Sequence, residues 1–230
     1  MGLKRTVTLE KRSSKKRSRT VKSNGLAPKT WSLSNKTTYR KGFDPFPSSL
    51  VARMRYATSK ALDTPGTFNL SNWCTMVPTS IHDPDTQIIN GHQPTGHDLF
   101  VKIYKNYRVV RCIITVQVLD NFSGPIWIQK SMTPSPISAT TDFNLERKGT
   151  RMMTLAKAST SGDKILRHEY RMGDREDTEG QDWTLFGKNP TTNCFFHVGV
   201  GSVGAAVDIP LMITMEYDVE MTGMIDQPSS

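Results

Sequence analysis

No run of eighteen apolar residues occurs anywhere in the 230-residue sequence, because the two greasiest stretches are broken by Arg111 and by Asp208 with Pro210. The sequence therefore predicts no membrane-crossing helix. Cysteine is equally scarce. Cys74, Cys112 and Cys194 are odd in number, widely separated and without a CxxC pair, so they read as small buried hydrophobes in a reducing compartment, not as a disulfide framework or zinc site. The basic N-terminus leads into no apolar core and does not read as a secretory signal. Internal repeats, alternating βα units and a GxSxG nucleophile turn are all missing.

Acidic residues are nearly absent from one end. Residues 1–41 hold 13 of the 30 basic groups and one of the 21 acidic ones, Glu10, for a net +12, whereas residues 42–230 carry −3. Only ten apolar residues fall in the first 41 positions. Such a segment cannot bury enough surface to offset the entropy of folding, and its like charges keep it extended. The sequence thus divides into a disordered basic arm, 1–41, and one domain, 42–230, of a size common for an antiparallel sandwich.

Within the domain the apolar pattern has period two. Leu211, Ile213, Met215, Tyr217, Val219 and Met221 alternate with Met212, Thr214, Glu216, Asp218 and Glu220, the pattern of a half-buried strand. Val110, Cys112, Ile114, Val116 and Val118 form a second such face against Arg111 and Gln117. Weaker strands are expected at 50–58, 67–77, 125–132, 150–156, 164–171 and 192–200, eight in all, with one short helix from Asp98 to Lys105. Three long connections, 77–97, 133–149 and 172–191, read as contact surfaces.

Several motifs invite a chemical reading. Gly199, Gly201 and Gly204 spell GxGxxG, but Asp208-Ile209-Pro210 stops the helix a dinucleotide site requires, so this reads as a glycine-rich turn between strands. His82, Asp83, Asp85, His92, His97 and Asp98 lack the spacing of a zinc helix or a calcium loop and read as loop-bracing groups, with no metal expected. Asp174 to Asp182 place five carboxylates in nine residues, read as a solvated loop. Ser161 and Lys164 match SxxK without its companion motifs. No nucleophile, base and oxyanion donor occur together, so neither an enzyme nor a cofactor is expected.

The strongest physical signal is the arm. Lys4, Arg5, Lys11, Arg12, Lys15, Lys16, Arg17, Arg19 and Lys22 are suited to neutralise phosphates and release counterions, which binds nucleic acid without reading its sequence. The serine-spaced clusters of Lys11, Arg12, Lys15, Lys16, Arg17 and Arg19 resemble a nuclear import signal. Met1-Gly2 with Thr6 also fits a myristoylation pattern backed by basic charge.

Gly42 to Ala57, GFDPFPSSLVARMRYA, and Ser80 to Val116, with its DP, GHQP, G-x-D and YxxYRV elements, resemble the capsid proteins of circovirus-like, circular Rep-encoding single-stranded DNA viruses. The resemblance covers roughly residues 42 to 120 and implies a viral jelly roll, eight antiparallel strands in a two-sheet sandwich, sixty copies of which close into an icosahedral shell. It further implies a single-stranded DNA genome, nuclear import receptors and a host-cell receptor as partners, with the protein in the virion and the host nucleus and without stable membrane insertion. Trp127 and Phe195, out of phase with the core, are expected to be exposed at subunit contacts. The competing readings are a cellular β-sandwich nucleic-acid-binding protein and a myristoylated, matrix-like peripheral membrane protein.

Overall fold

A computed structural model describes residues 46–64, 73–87, 91–119, 123–136, 146–155, 164–173, 183–201 and 207–225, all within the unit Gly42–Ser230. In chain order the elements are β1 (Ser49–Thr64), β2 (Trp73–Met76), α1 (His97–Phe100), β3 (Tyr104–Val118), β4 (Gly124–Ser131), β5 (Thr150–Leu155), β6 (Ile165–Arg171), β7 (Thr184–Leu185), β8 (Phe195–Val200) and β9 (Val207–Met224).

Two antiparallel sheets result. One has the order β1-β9-β3-β6, with β7 also pairing with β3, and the other the order β2-β8-β4-β5. The period-two patterns explain why they stack. From Leu211 to Met221, every second side chain of β9 is fully buried, while Glu216 and Met212 on the opposite face are exposed. Each such side chain contributes about 1.5–3 kcal/mol by leaving water. Tyr56, Tyr107, Tyr170 and Tyr217 fill the space between the sheets together with Ile114, Ile126 and Phe196.

Three tyrosines carry their hydroxyls to the rim of that core. Tyr104 donates to the carbonyl of Pro47 at 3.0 Å, Tyr107 to that of Lys188 at 2.9 Å, and Tyr217 to that of Val77 at 3.2 Å. Each ring fills core volume while its polar tip ties down a loop.

The structure departs from the sequence expectations in four places. On β3 the core residue is Val109, fully buried, and Val110 is only half-buried, because the register slips between Val109 and Arg111. This bulge inserts one residue and shifts the alternation by one. The Val110 carbonyl instead accepts from the Met172 amide at 2.8 Å. The helix is a single turn, since Tyr104 and Lys105 already belong to β3. The third long connection carries a ninth strand, the two-residue β7. β1 is longer than expected and pairs with β9 over its whole length, from Ser49↔Thr222 to Thr64↔Val207.

Candidate assembly and ligand surfaces

Lys4, Arg5, Lys11, Arg12, Lys15, Lys16, Arg17, Arg19 and Lys22, the myristoylation pattern and the acidic run 174–182 lie outside the described residues. What the structure places is the surface of the sandwich.

The histidine loop is braced by its own side chains. The Ser80 hydroxyl accepts from the amides of His82 and Asp83 at 3.2 and 3.1 Å and donates to Asn189 Oδ1 at 2.7 Å. Asp85, fully buried, lies 2.7 Å from Lys60 Nζ on β1 and accepts from the Gln87 amide at 3.1 Å. A buried carboxylate requires such a partner, because an unpaired charge there costs several kcal/mol. His92 stacks on Tyr56 with ring centroids 4.6 Å apart, and His97 Nδ1 lies 3.1 Å from Asp98 Oδ1. His82 and His97 are 6.2 Å apart by ring centroid. Among the described residues, no three His, Cys, Asp or Glu side chains converge as a metal cage.

The glycine motif has a packing cause. Gly199 sits in β8 opposite Trp127 of β4, and a Cβ on Gly199 would fall 2.2 Å from the indole. The ring occupies the space a side chain would take. Gly199 therefore belongs to β8 and Gly201 follows it directly, while Gly204 lies outside the described residues. Trp127 and Phe195 are not exposed: Trp127 is fully buried and Phe195 8% accessible, although neither belongs to the intersheet core. The reason is that the outer face of this sheet is itself covered over β2, β8 and β4, where Thr75, His197 and Gln129 are buried as well, whereas Met152 of β5, beside Trp127, stays exposed.

Thr75, His197 and Gln129 form a buried polar row on that covered face. His197 Nε2 lies 2.9 Å from the Thr133 carbonyl, which can only accept, so the proton sits on Nε2 and Nδ1 accepts from the Thr75 hydroxyl at 3.0 Å. Burial pushes the His197 pKa down to about 4, against a smaller upward effect of the Thr133 hydrogen bond. His168 is arranged alike, donating from Nε2 to the Gly149 carbonyl at 2.6 Å and accepting the Glu169 amide at Nδ1, and burial lowers its pKa. Sequence spacing shows no sign of either, since the Nε2 proton of each goes to a backbone carbonyl 64 or 19 residues away.

The three cysteines are free and buried. Burial pushes the Cys74 thiol up to about 12 and Cys112 well above the ordinary thiol range, so neither is a reactive thiolate.

The opposite outer face, of β1-β9-β3-β6, is a charged lattice. Arg53 Nε lies 2.9 Å from Asp218, Arg108 Nη2 2.8 Å from Glu220, and Glu169 joins Arg111 to Arg171. Burial pushes Glu169 up, but the hydrogen bonds from Arg171 and Arg111 outweigh it and hold the carboxyl below the usual range. Arg108 also lies 4.4 Å over the Trp183 ring. Arg151 and Arg167 differ: they flank an open depression with Met152, Ile165 and Leu166, and neither has a carboxylate partner among the described residues.

No protein-family model matches the chain, and no curated protein matches it significantly in sequence. Solved structures do match in fold. The structure of Cocksfoot mottle virus is 9% identical over 76% of this chain and 97% of its own, with a TM-score of 0.51. The decameric BFDV capsid protein is 10% identical over 76% of this chain and 99% of its own at 0.46, and its 60-mer is 9% identical over 80% and 100% at 0.47. With two antiparallel sheets ordered β1-β9-β3-β6 and β2-β8-β4-β5 and the likeness to the Cocksfoot mottle virus structure, the fold is the viral jelly roll, its eight strands joined here by the short β7.

Proposed function

We propose that this chain is a viral capsid protein, a shell-forming subunit that packages single-stranded DNA through its basic arm. The observation that carries the reading is the jelly roll whose interior is filled by large side chains, Tyr56, Tyr107, Tyr170, Tyr217 and Phe196 among them. A barrel packed in this way leaves its work to its outer surfaces, and its likeness to the Cocksfoot mottle virus structure supports a shell as that work. The role is structural and not enzymatic.

The remaining details follow the sequence resemblance. Sixty copies close an icosahedral shell, the arm lines its interior, and Lys11, Arg12, Lys15, Lys16, Arg17 and Arg19 direct nuclear import. Sixty arms at +12 bring about 700 positive charges into one cavity, where they repel one another until nucleic acid displaces their counterions.

Deleting residues 1–41 tests the reading. The near-neutral domain should remain folded and able to associate, while single-stranded DNA binding, steeply salt-dependent and nearly sequence-independent in the full chain, should fall to almost nothing. Sedimentation of the full chain should yield megadalton particles. A small oligomer would favour a cellular nucleic-acid-binding protein, and full affinity in the truncated domain would move the binding face onto the sandwich. Residues 1–30 fused to an inert reporter should carry it into the nucleus.

A further inference from the structure

β1 and the loop that follows β2 meet at a lysine and an aspartate taken out of water. Lys60 Nζ lies 2.7 Å from Asp85 Oδ2, with the carboxylate fully buried and the lysine side chain 14% accessible. Asp85 also bridges to buried Met76 of β2. Cys74, fully buried on the same strand, feels both charges behind the larger effect of its own burial. Arg53, Arg108 and Arg111 pair with carboxylates too, but through guanidiniums that stay charged and on a face in contact with solvent. Lys60 brings an amine, which becomes a nucleophile once it loses a proton.

The two oxygens of Asp85 are held differently. Oδ1 accepts from the Gln87 amide at 3.1 Å, whereas Oδ2, despite the close amine, receives no well-directed hydrogen bond. The amine thus lies against the carboxyl group out of hydrogen-bond alignment. With a C–O bond of about 1.2 Å added to the 2.7 Å contact, the carboxyl carbon is at most about 3.9 Å from Nζ. Bound groups react from about 3–3.5 Å.

We propose that Lys60 and Asp85 condense into an amide, a covalent staple between β1 and the 77–97 connection. A proton passes from Nζ to Oδ2 across the contact, which removes two charges from a site where both are costly to keep. The freed Nζ lone pair forms a bond to Asp85 Cγ, while the Gln87 amide stabilises the negative charge that gathers on Oδ1. The Cγ–Oδ2 bond then breaks. Its oxygen leaves as water, with the proton it took and a second one from Nζ, so the step needs no oxidant, reductant or cofactor. Folding drives it by holding the two groups together, at an effective concentration of about 10⁵–10⁸ M for well-oriented partners. Lys60 belongs to the β1-β9-β3-β6 sheet and Asp85 to a segment bridged to β2 of the other, so the staple ties the two sheets to each other.

Mass spectrometry of the purified full chain tests the staple. The intact mass should be lower than the sequence mass by one water. Trypsin should no longer cut after Lys60, so that residues 56–102 appear as one peptide lighter by a water, and further cutting by chymotrypsin at Phe68 and Trp73 should leave its two ends joined. Lys60→Arg keeps the charge but is no nucleophile; it should restore the full mass and lower the melting temperature by roughly 5–10 °C, the loss expected on opening a ring of this size. An unmodified mass in the folded wild type overturns the proposal. So does a loss of water that survives in Lys60→Arg, or ends that separate after chymotrypsin, since either moves the dehydration to another group such as a cyclised aspartate. Should Lys60→Arg not fold, the two wild-type digests decide alone.

Discussion

A single missing methyl group fixes part of the covered sheet face. Gly199→Ala would push a carbon to within 2.2–2.9 Å of three Trp127 ring atoms, so the indole must leave its seat. The expected loss is about 1–3 kcal/mol, the range for overpacking, measured by denaturant unfolding. Trp127→Leu in the same chain should recover part of it, and an additive pair of losses would show that the ring is not the obstacle. His197 gives a pH dependence of known sign. Its pKa is depressed from about 6.5 in the unfolded chain to about 4, so its contribution is present above pH 6.5 and is lost as the pH falls towards 4, where the unfolded state takes up the proton first. Its share is about 2–3 kcal/mol. His197→Gln, which titrates nowhere in that range, should flatten the loss of melting temperature between pH 6.5 and 4 relative to the wild type.

Alternation decides whether a strand can tolerate charge. Lysine at Ile213 should abolish soluble protein, because an unpaired charge in a fully buried site costs several kcal/mol, while Glu216→Lys on the exposed face should be tolerated. On β3 the bulge sharpens the test: Val109→Asp should be severe and Val110→Asp mild, the reverse of the order that strict alternation from Cys112 gives. Soluble yield and melting temperature report both. This contrast also marks how far the sequence can be read. β9 was legible from Leu211 to Met221, where its apolar period never slips, but not in its first residues, Val207 to Pro210. β3 was legible only from Cys112 onwards, since a bulge leaves no mark when valines stand at both 109 and 110. Trp127 and Phe195 were placed on the correct side of their strands but assigned to solvent, because a pattern of period two separates the faces without saying what covers each. The histidine loop is braced as expected at Asp85, but otherwise mainly through Ser80 and not through the histidine rings, and the anchors, Asn189 and Lys60, lie too far away in sequence for spacing to suggest.

On the scale of the whole molecule, two surfaces carry opposite designs. The β1-β9-β3-β6 face neutralises its own charges cross-strand, and pairs of this kind contribute little, typically under about 1 kcal/mol each. High salt should therefore change the stability of the isolated domain only slightly, while the nucleic-acid binding proposed for the arm should weaken by orders of magnitude, a separation that unfolding and binding titrations in one buffer series would read.

The pairing of β1 with β9 has a consequence for synthesis. Residues 49–64 find their partner only in residues 207–224, so the first described strand waits for the last. Ribosomes add about 5–20 residues per second, and contacts this distant in sequence close slowly. During that interval β1 and β3 both lack the strand that lies between them in the finished sheet, and a nascent or prematurely terminated chain presents their apolar residues, Met54, Tyr56 and Ile114, without cover. Completion of the polypeptide thus acts as a checkpoint: only a chain translated through β9 acquires the finished sheet, and a fragment ending before it leaves β1 and β3 with open edges where β9 would lie.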